Sequence, residues 1–279
     1  MEPRLSRRVL LQGPAVALAA ASLTGAAHAA RPGRGHSLKI GLASYSMRKQ
    51  TLDQVIELCK QARVTHLTLK EMHLPLKSTP AELQAARDKL AAAGIQLAGV
   101  GVVYMKSPEE VRAAFEYAKA AQAPLIVGAP SPEVLDATEA AVKEFNIPIA
   151  IHNHGPEDKH YPSPREVMAA IKKRDKRMGV CMDVGHTVRA NVDPVKAVAE
   201  CGPRLFDLHA KDLKDKGDKN SRTEIGMGII DHAGLLSALI KHRFQGHVAL
   251  EYEIKPEDPI PGIRESLAYL RGAAAALQA

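Results

Sequence analysis

The chain is poor in aromatic residues and in cysteine. It has no tryptophan in 279 residues, and aromatic residues make up 4% of the composition. Single-stranded nucleic acids are bound largely by stacking bases on aromatic rings, so this shortage argues against a nucleic-acid partner. The three cysteines, Cys59, Cys181 and Cys201, are odd in number and include no close pair, which argues against a disulfide framework. We expect Cys59 and Cys181 to be core residues, because cysteine is commonly buried.

Two further absences limit the fold classes that the sequence can adopt. No Gly-x-Gly-x-x-Gly segment follows the first predicted strand, which argues against an open, doubly wound dinucleotide-binding sheet. No Gly/Ser-rich linker interrupts the alternation of strand and helix patterns. A single domain is therefore expected.

The first 29 residues have the features of an export signal. Ser6-Arg7-Arg8-Val9-Leu10-Leu11 matches a twin-arginine pattern, an alanine-rich apolar stretch follows, and Ala27-His28-Ala29 offers a small-x-small cleavage site. The apolar stretch is too short for a permanent membrane span, and no cysteine follows it to carry a lipid. We predict that residues 1–29 are a twin-arginine signal peptide. The mature protein is then periplasmic, with no stable membrane anchor.

The remaining chain alternates between strand-like and helix-like patterns. Short apolar runs predict eight strands, at residues 39–44, 65–69, 96–103, 125–128, 148–152, 178–183, 204–209 and 247–251. Hydroxyl residues three positions before Glu or Gln predict helix starts at Thr51, Thr79, Ser107 and Ser163, and Asp193-Pro194 predicts another. Cleavage after Ala29 would leave about 250 residues, the usual size of one (β/α)8 barrel. We therefore predict an α/β fold, a single (β/α)8 TIM barrel domain over residues 37–279.

Four possible metal ligands end the last four predicted strands. They are His152, Asp183, His209 and Glu251. Because the carboxyl ends of parallel strands meet at one face of a barrel, we expect these side chains to converge. Two imidazoles and two carboxylates suit Mn²⁺, Zn²⁺, Co²⁺ or Fe²⁺ better than Mg²⁺ or Ca²⁺. We predict one divalent ion, with Mn²⁺ favoured and Zn²⁺ or Co²⁺ as alternatives.

Polar residues near these ligands are candidates for catalysis. His154 shares a strand face with His152, and Lys211 shares one with His209, because side chains two apart in a strand point the same way. A bound ion would act as a Lewis acid on a substrate carbonyl and stabilise the enediolate left by removal of a neighbouring proton. A carboxylate or histidine that takes this proton contributes roughly 10²- to 10⁴-fold to the rate.

Three other residues are candidate substrate contacts. His186 follows Asp183 after a glycine that lets the chain turn, and it is either a support for the metal ligands or a substrate contact. Lys70 and His73 follow the second predicted strand and lie at the same face of the barrel. Lys70 could neutralise a substrate oxyanion.

Several short segments together resemble one known family. They are Asn153-His154, Asp183-x-Gly-His186, His209-x-Lys-Asp212, Gly226-Met-Gly228 and Glu251. With these segments the chain resembles the xylose-isomerase-like TIM barrels, the sugar phosphate isomerase/epimerase family that also contains the type IV apurinic endonucleases. The resemblance covers the whole chain after the signal sequence. It implies a small carbohydrate substrate, and a homodimer is possible because such barrels often pair.

The resemblance also shows one departure. Ketose epimerases of the family usually hold their metal with Glu, Asp, His and Glu from strands five to eight. Asp183, His209 and Glu251 match three of these, but His152 stands where those enzymes have Glu. A mechanism that shares proton transfer between two glutamates is therefore in doubt. Glu157 or Asp158 could supply the missing base; otherwise His152 is only a ligand.

The leading hypothesis is a divalent-metal-dependent sugar isomerase or epimerase. Its predicted catalytic residues are Glu251, His154, Lys211 and Glu157. The first alternative is a metal-dependent lyase or hydrolase that cleaves 3-keto-glycosides by elimination, as several family relatives do. A second alternative is a non-catalytic exported barrel that binds sugar or metal. A DNA-repair nuclease is disfavoured, because its three-zinc site needs further ligands and export removes the protein from the genome.

Overall fold

Eight parallel strands close into a barrel in the computed structural model, which describes residues 36–279. The strands of the described chain are β1 Lys39–Ala43, β2 His66–Leu69, β3 Gln96–Met105, β4 Ile126–Pro130, β5 Ile149–His152, β6 Met178–Asp183, β7 Leu205–Ala210, β8 Asp212–Leu213, β9 Arg222–Thr223 and β10 His247–Leu250. Strands β1 to β7 pair in chain order, and β10 joins β7 to β1 to close the barrel. The predicted (β/α)8 barrel is confirmed. Strands β8 and β9 form a separate antiparallel pair that we did not expect.

Helices alternate with the barrel strands. They are α1 Leu52–Gln61, α2 Pro80–Ala92, α3 Pro108–Ala120, α4 Leu135–Phe145, α5 Pro164–Ile171, α6 Val184–Arg189, α7 Pro194–Cys201, α8 His232–Lys241 and α9 Ile260–Ala276. The five predicted cap residues accept hydrogen bonds from backbone N–H groups in the first turn of their helices: Thr51, Thr79, Ser107, Ser163 and Asp193. The predicted helix starts are therefore confirmed.

The main apolar core lies between the strands and the helices. Residues such as Ile149, Met178 and Phe115 are fully buried in it. Ala150 and Cys181 belong to a smaller cluster. They precede His152 and Asp183 by two residues, so they share the inward-facing side of their strands. All three cysteines are buried and unpaired, in agreement with the sequence.

The described residues, 36–279, form one compact unit. None of the helices described is long and apolar enough to cross a membrane. The predicted signal peptide, residues 1–29, lies outside the described residues.

Asp212 anchors the long segment between β8 and α8. Its buried carboxylate accepts backbone N–H groups from Leu213, Gly226, Gly228 and Ile230 at 2.9 to 3.2 Å. A Cβ at Gly228 would lie 2.2 Å from the Asp212 carboxylate, and Gly226 has a φ of +89°. The Gly-x-Gly pattern is therefore required for the backbone to close on this carboxylate.

We expect Asp212→Ala to destabilise the protein by about 3 kcal/mol, because at least two N–H groups lose their acceptor at roughly 1–3 kcal/mol each. Urea unfolding measures the change in the free energy of unfolding. Asp218→Ala is the control, since the Asp218 carboxylate is exposed and caps only a local turn through the Asn220 N–H. A loss no larger than that of the control would mean that other contacts hold the segment.

Candidate metal centre

The carboxyl ends of β5, β6, β7 and β10 bring the four predicted ligands together. One ligand atom from each of His152, Asp183, His209 and Glu251 lies within 4.8 Å of all the others. His209 Nδ1 is 3.1 Å from His152 Nε2 and 3.3 Å from Glu251 Oε2. All four side chains are buried. We call these four residues the quartet.

Strand pairing and two hydrogen-bonded residues fix the quartet. Asp183 pairs with His209 in the register of β6 and β7. The Asp183 Oδ1 atom accepts the His186 N–H at 2.8 Å and so caps α6, which leaves Oδ2 facing the other ligands. Asn153 accepts the Asp183 N–H at 2.9 Å and donates to Thr187 at 3.3 Å. Asn153 is fully buried and ties the end of β5 to β6, a function that sequence analysis did not assign to it.

Lys211 lies among three carboxylates. Its Nζ is 2.9 Å from Asp183 Oδ2, 2.8 Å from Glu251 Oε2 and 2.7 Å from Glu253 Oε2. Although burial opposes the charge, these carboxylates raise the pKa of Lys211 well above its usual value. In return, Lys211 helps to hold the pKa values of Asp183 and Glu251 well below the usual range despite their burial. The site therefore contains full charges of both signs.

The two quartet histidines differ in charge preference. Burial lowers the pKa of His152 to about 3, so its imidazole is neutral at ordinary pH. Burial also acts against charge on His209, but the neighbouring Glu251 carboxylate outweighs it and raises the pKa of His209. A neutral imidazole is the form that binds a metal. His152 is thus already in the ligand form.

The quartet fits a divalent cation. Asp183 and Glu251 carry two buried negative charges, and two imidazole nitrogens point toward the same space. Within residues 36–279 the other possible grouping overlaps this place and replaces the carboxylates with Cys181. Burial raises the pKa of that thiol well above its usual value, which disfavours the thiolate that a metal needs. Because Lys211 contacts the same carboxylate oxygens, an incoming cation would share them with its ammonium group.

A second polar group lies beside the quartet. The Tyr104 hydroxyl is 3.0 Å from His154 Nε2, and His154 Nδ1 is 3.4 Å from Asp158 Oδ2. Lys70 Nζ lies 5.6 Å from the centre of the Tyr104 ring. The Tyr104 side chain is 56% exposed although it belongs to a barrel strand. Tyr104 is absent from the predicted site, because it lies one residue beyond the predicted third strand, residues 96–103, and no neighbouring motif marks it.

The remaining predicted site residues differ in their surroundings. The His186 ring lies close to the rings of His152 and His154, so it borders the quartet. Lys70 Nζ donates to the Val102 carbonyl at 2.7 Å, and burial lowers its pKa. Both residues stay at the mouth of the barrel.

His73 and Glu157 are engaged elsewhere. The His73 ring is buried, with Nδ1 2.9 Å from Ser44 Oγ and Nε2 3.0 Å from the Met47 carbonyl. The ring therefore ties the segment after β2 to the segment after β1. Glu157 forms an ion pair with Arg189, and the Glu157 side chain is mostly exposed. The structure brings neither residue into the quartet.

The family assignment agrees with this geometry. A family model described as "Xylose isomerase-like TIM barrel" matches residues 67–273. The chain belongs to this family. No curated protein matches the chain significantly.

Several solved structures share the fold of this chain. An uncharacterized protein from Parabacteroides distasonis is 26% identical, with a TM-score of 0.66 over 84% of this chain and 98% of the other. The 3-keto-D-glucoside 4-epimerase from E. coli is 15% identical, with a TM-score of 0.68 over 85% and 100%. A D-psicose 3-epimerase is 16% identical, with a TM-score of 0.68 over 87% and 100%. At the identities of the two epimerases, the similarity shows the fold alone.

We expect His152→Leu to weaken Mn²⁺ binding by at least about tenfold, or about 1.4 kcal/mol, because one of four ligand atoms is lost. Isothermal titration of the metal-free protein measures this affinity. The matched variant is His154→Leu, two residues further along and just past the end of β5, and it should change the affinity by less than about threefold. Equal losses in both variants would contradict the assignment of His152 as a ligand.

Proposed function

We propose that this protein is a divalent-metal-dependent carbohydrate isomerase or epimerase that moves a proton beside a carbonyl group. The observation that carries the proposal is the buried quartet at the carboxyl ends of the barrel strands. Active sites of TIM barrels lie at this face. Membership of the xylose isomerase-like family agrees with it.

A divalent ion held by the quartet, Mn²⁺ in the first instance and Zn²⁺ or Co²⁺ otherwise, would supply Lewis-acid polarisation of the substrate carbonyl. Glu251 is the proton acceptor, since its carboxylate is ionised: burial would raise its pKa, but Lys211 and His209 outweigh burial and hold the pKa below its usual range. The Lys211 ammonium group stabilises negative charge that develops on a substrate oxygen.

His154 is the second proton-transfer group in this proposal. It comes from the end of β5, on the side where the epimerases of the family are expected to use a glutamate. The Tyr104 hydroxyl is 3.0 Å from its Nε2 atom, and the Asp158 carboxylate lies 3.4 Å from its Nδ1 atom. Glu157, the other candidate, is turned toward Arg189. His154 is therefore better placed than Glu157 to act on the substrate.

The substrate that we propose is a sugar without phosphate. Three cations near the mouth are already engaged: Lys70 by the Val102 carbonyl, Arg189 by Glu157 and Arg222 by Glu253. A phosphate would have to displace these contacts. The exposed ring of Tyr104 instead offers a flat apolar surface of the kind that lines small-molecule sites.

A second candidate reaction is elimination from a 3-keto-glycoside. The replacement of the family's strand-five glutamate by His152 favours it, since elimination needs proton removal from only one face of the sugar. One fold neighbour is named as a 3-keto-D-glucoside 4-epimerase, which also acts on an oxidised sugar. Analysis of the products from a 3-keto-glycoside separates the two reactions, because elimination releases the aglycone and epimerisation does not.

Three other aspects rest on the sequence alone. We propose export to the periplasm, assembly as a homodimer and the absence of a nucleic-acid partner. A purely sugar- or metal-binding role is the remaining alternative of a different class. It predicts no exchange of substrate protons with solvent.

We expect Glu251→Gln to reduce turnover of a 3-keto-sugar by roughly 10²- to 10⁴-fold, because the carboxylate that accepts the proton is lost. Incorporation of deuterium from heavy water beside the carbonyl, followed by NMR, measures the proton transfer directly. Glu200→Gln is the control, since the Glu200 carboxylate pairs with Arg165 on the exposed surface. Absence of exchange in the wild-type protein across ketoses and 3-keto-glycosides would contradict the proposed function.

We expect Tyr104→Ala to raise KM by about 3- to 10-fold, which corresponds to roughly 0.5–1.5 kcal/mol of aromatic contact. Tyr104→Phe keeps the ring and removes the hydroxyl that contacts His154. It should therefore leave KM nearly unchanged and lower kcat. Steady-state kinetics of both variants distinguish the contribution of the ring from that of the hydroxyl. An unchanged KM in Tyr104→Ala would rule out the ring as a sugar contact.

A further inference from the structure

An acidic residue lies inside the barrel, directly below the quartet. Asp207 is in the middle of β7, two residues before His209, and it is fully buried. The interior of such barrels is normally filled by layers of apolar branched side chains. A buried carboxylate costs free energy unless it interacts with polar partners. Its place in the core therefore requires an explanation that the quartet itself does not give.

The two ring nitrogens of His209 face different groups. Nδ1 points to the quartet, 3.3 Å from Glu251 Oε2 and 3.1 Å from His152 Nε2. Nε2 points to the interior, and Asp207 Oδ2 lies 3.8 Å from it. Within residues 36–279 Nε2 has no hydrogen-bond partner. A ring shift of less than about 1 Å would bring the two atoms to hydrogen-bond distance.

Other buried groups hold the Asp207 carboxylate in the interior. Cys181 Sγ donates to its Oδ2 atom at 3.7 Å. Its Oδ1 atom is 3.6 Å from His247 Nδ1, and that nitrogen is 3.5 Å from Thr68 Oγ1. Asp207 and His247 are also paired in the register of β7 and β10. Oδ2 thus accepts a hydrogen bond from Cys181, Oδ1 lies near His247 but has no hydrogen-bond partner within residues 36–279, and the carboxylate also faces His209.

We propose that Asp207 is a positioning residue that accepts the Nε2–H of His209 and keeps Nδ1 directed at the metal. Metal-binding histidines commonly donate their second ring N–H to a carboxylate, which fixes the tautomer and strengthens the ligand. This inference rests on the proposed function, because it assumes that the quartet binds a cation. It adds to the site a residue that touches neither metal nor substrate.

Metal affinity tests the inference without reference to turnover. Metal-free full-length protein is titrated with Mn²⁺ by calorimetry, and Asp207→Asn should weaken binding by roughly 10- to 100-fold. Thr68→Val is the control, since Thr68 is buried in the same interior group but contacts His247 rather than His209. It should change the affinity by less than about threefold. Equal affinity of Asp207→Asn and the wild-type protein would overturn the inference.

A second measurement is read from the wild-type protein and uses a variant only to assign signals. Long-range proton–nitrogen NMR of the wild-type protein loaded with Zn²⁺ reports which nitrogen of His209 carries the proton. The His209 signals are assigned by their loss in His209→Gln. A proton on Nε2 supports the inference, and a proton on Nδ1 overturns it.

The outcomes separate this inference from the proposed function. If the wild-type protein binds none of Mn²⁺, Zn²⁺ and Co²⁺, both are overturned. If it binds metal but does not exchange substrate protons, the proposed reaction is wrong. The function of Asp207 is then decided by the metal affinity of Asp207→Asn alone.

Discussion

Closure of the barrel is the constraint on which the site depends. The four quartet residues are far apart in sequence, and none of them is part of a local motif that could bind a metal alone. Parallel pairing of β5, β6, β7 and β10 places their carboxyl ends at one face, and the register sets Asp183 beside His209. The Glu251 N–H donates to the Ala210 carbonyl at 2.9 Å, which fixes the last ligand against β7. Any change that shifted one strand by a residue would turn its ligand away from the site.

Burial makes the charges at this face depend on one another. Lys211 satisfies Asp183, Glu251 and Glu253, and without these carboxylates its ammonium group would be an unpaired buried charge. Asp183 and Glu251 would likewise be unpaired buried charges without a cation beside them. Polar groups also continue below the site, where Asp207 lies in space that apolar residues usually fill. The barrel therefore gives up apolar packing near its centre in favour of fixed polar geometry.

The sequence predicted the parts of the fold and site that depend on local patterns. Strand runs, capping residues and the rule that ligands sit at strand ends were enough to place the quartet, because each of these signals lies within a few residues. The functions of residues that depend on strand register or on contacts distant in sequence could not be predicted from such local patterns. Tyr104 reaches His154 past the intervening strand β4. Asp207 shares a strand face with His209, but the groups around its carboxylate depend on how β7 pairs with its neighbours. The His73 ring forms its hydrogen bond with Ser44, in the segment after β1. The residues next to His73 in the sequence do not indicate this distant partner.

The histidine at the end of β5 changes the charge of the site as well as its proton chemistry. In the epimerases that the chain resembles, a third carboxylate is expected at this position. Here His152 is neutral, since burial lowers its pKa to about 3, so the ligands carry the two negative charges of Asp183 and Glu251. A divalent ion would balance these two charges, whereas a third carboxylate would leave the set negative. With the Lys211 ammonium group beside it, the His152 site favours an anionic substrate oxygen more strongly than a three-carboxylate site. In the proposed mechanism, His152 thus replaces a carboxylate on the β5 side and lowers the negative charge near a substrate oxygen, while His154 remains as a proton-transfer group on that side.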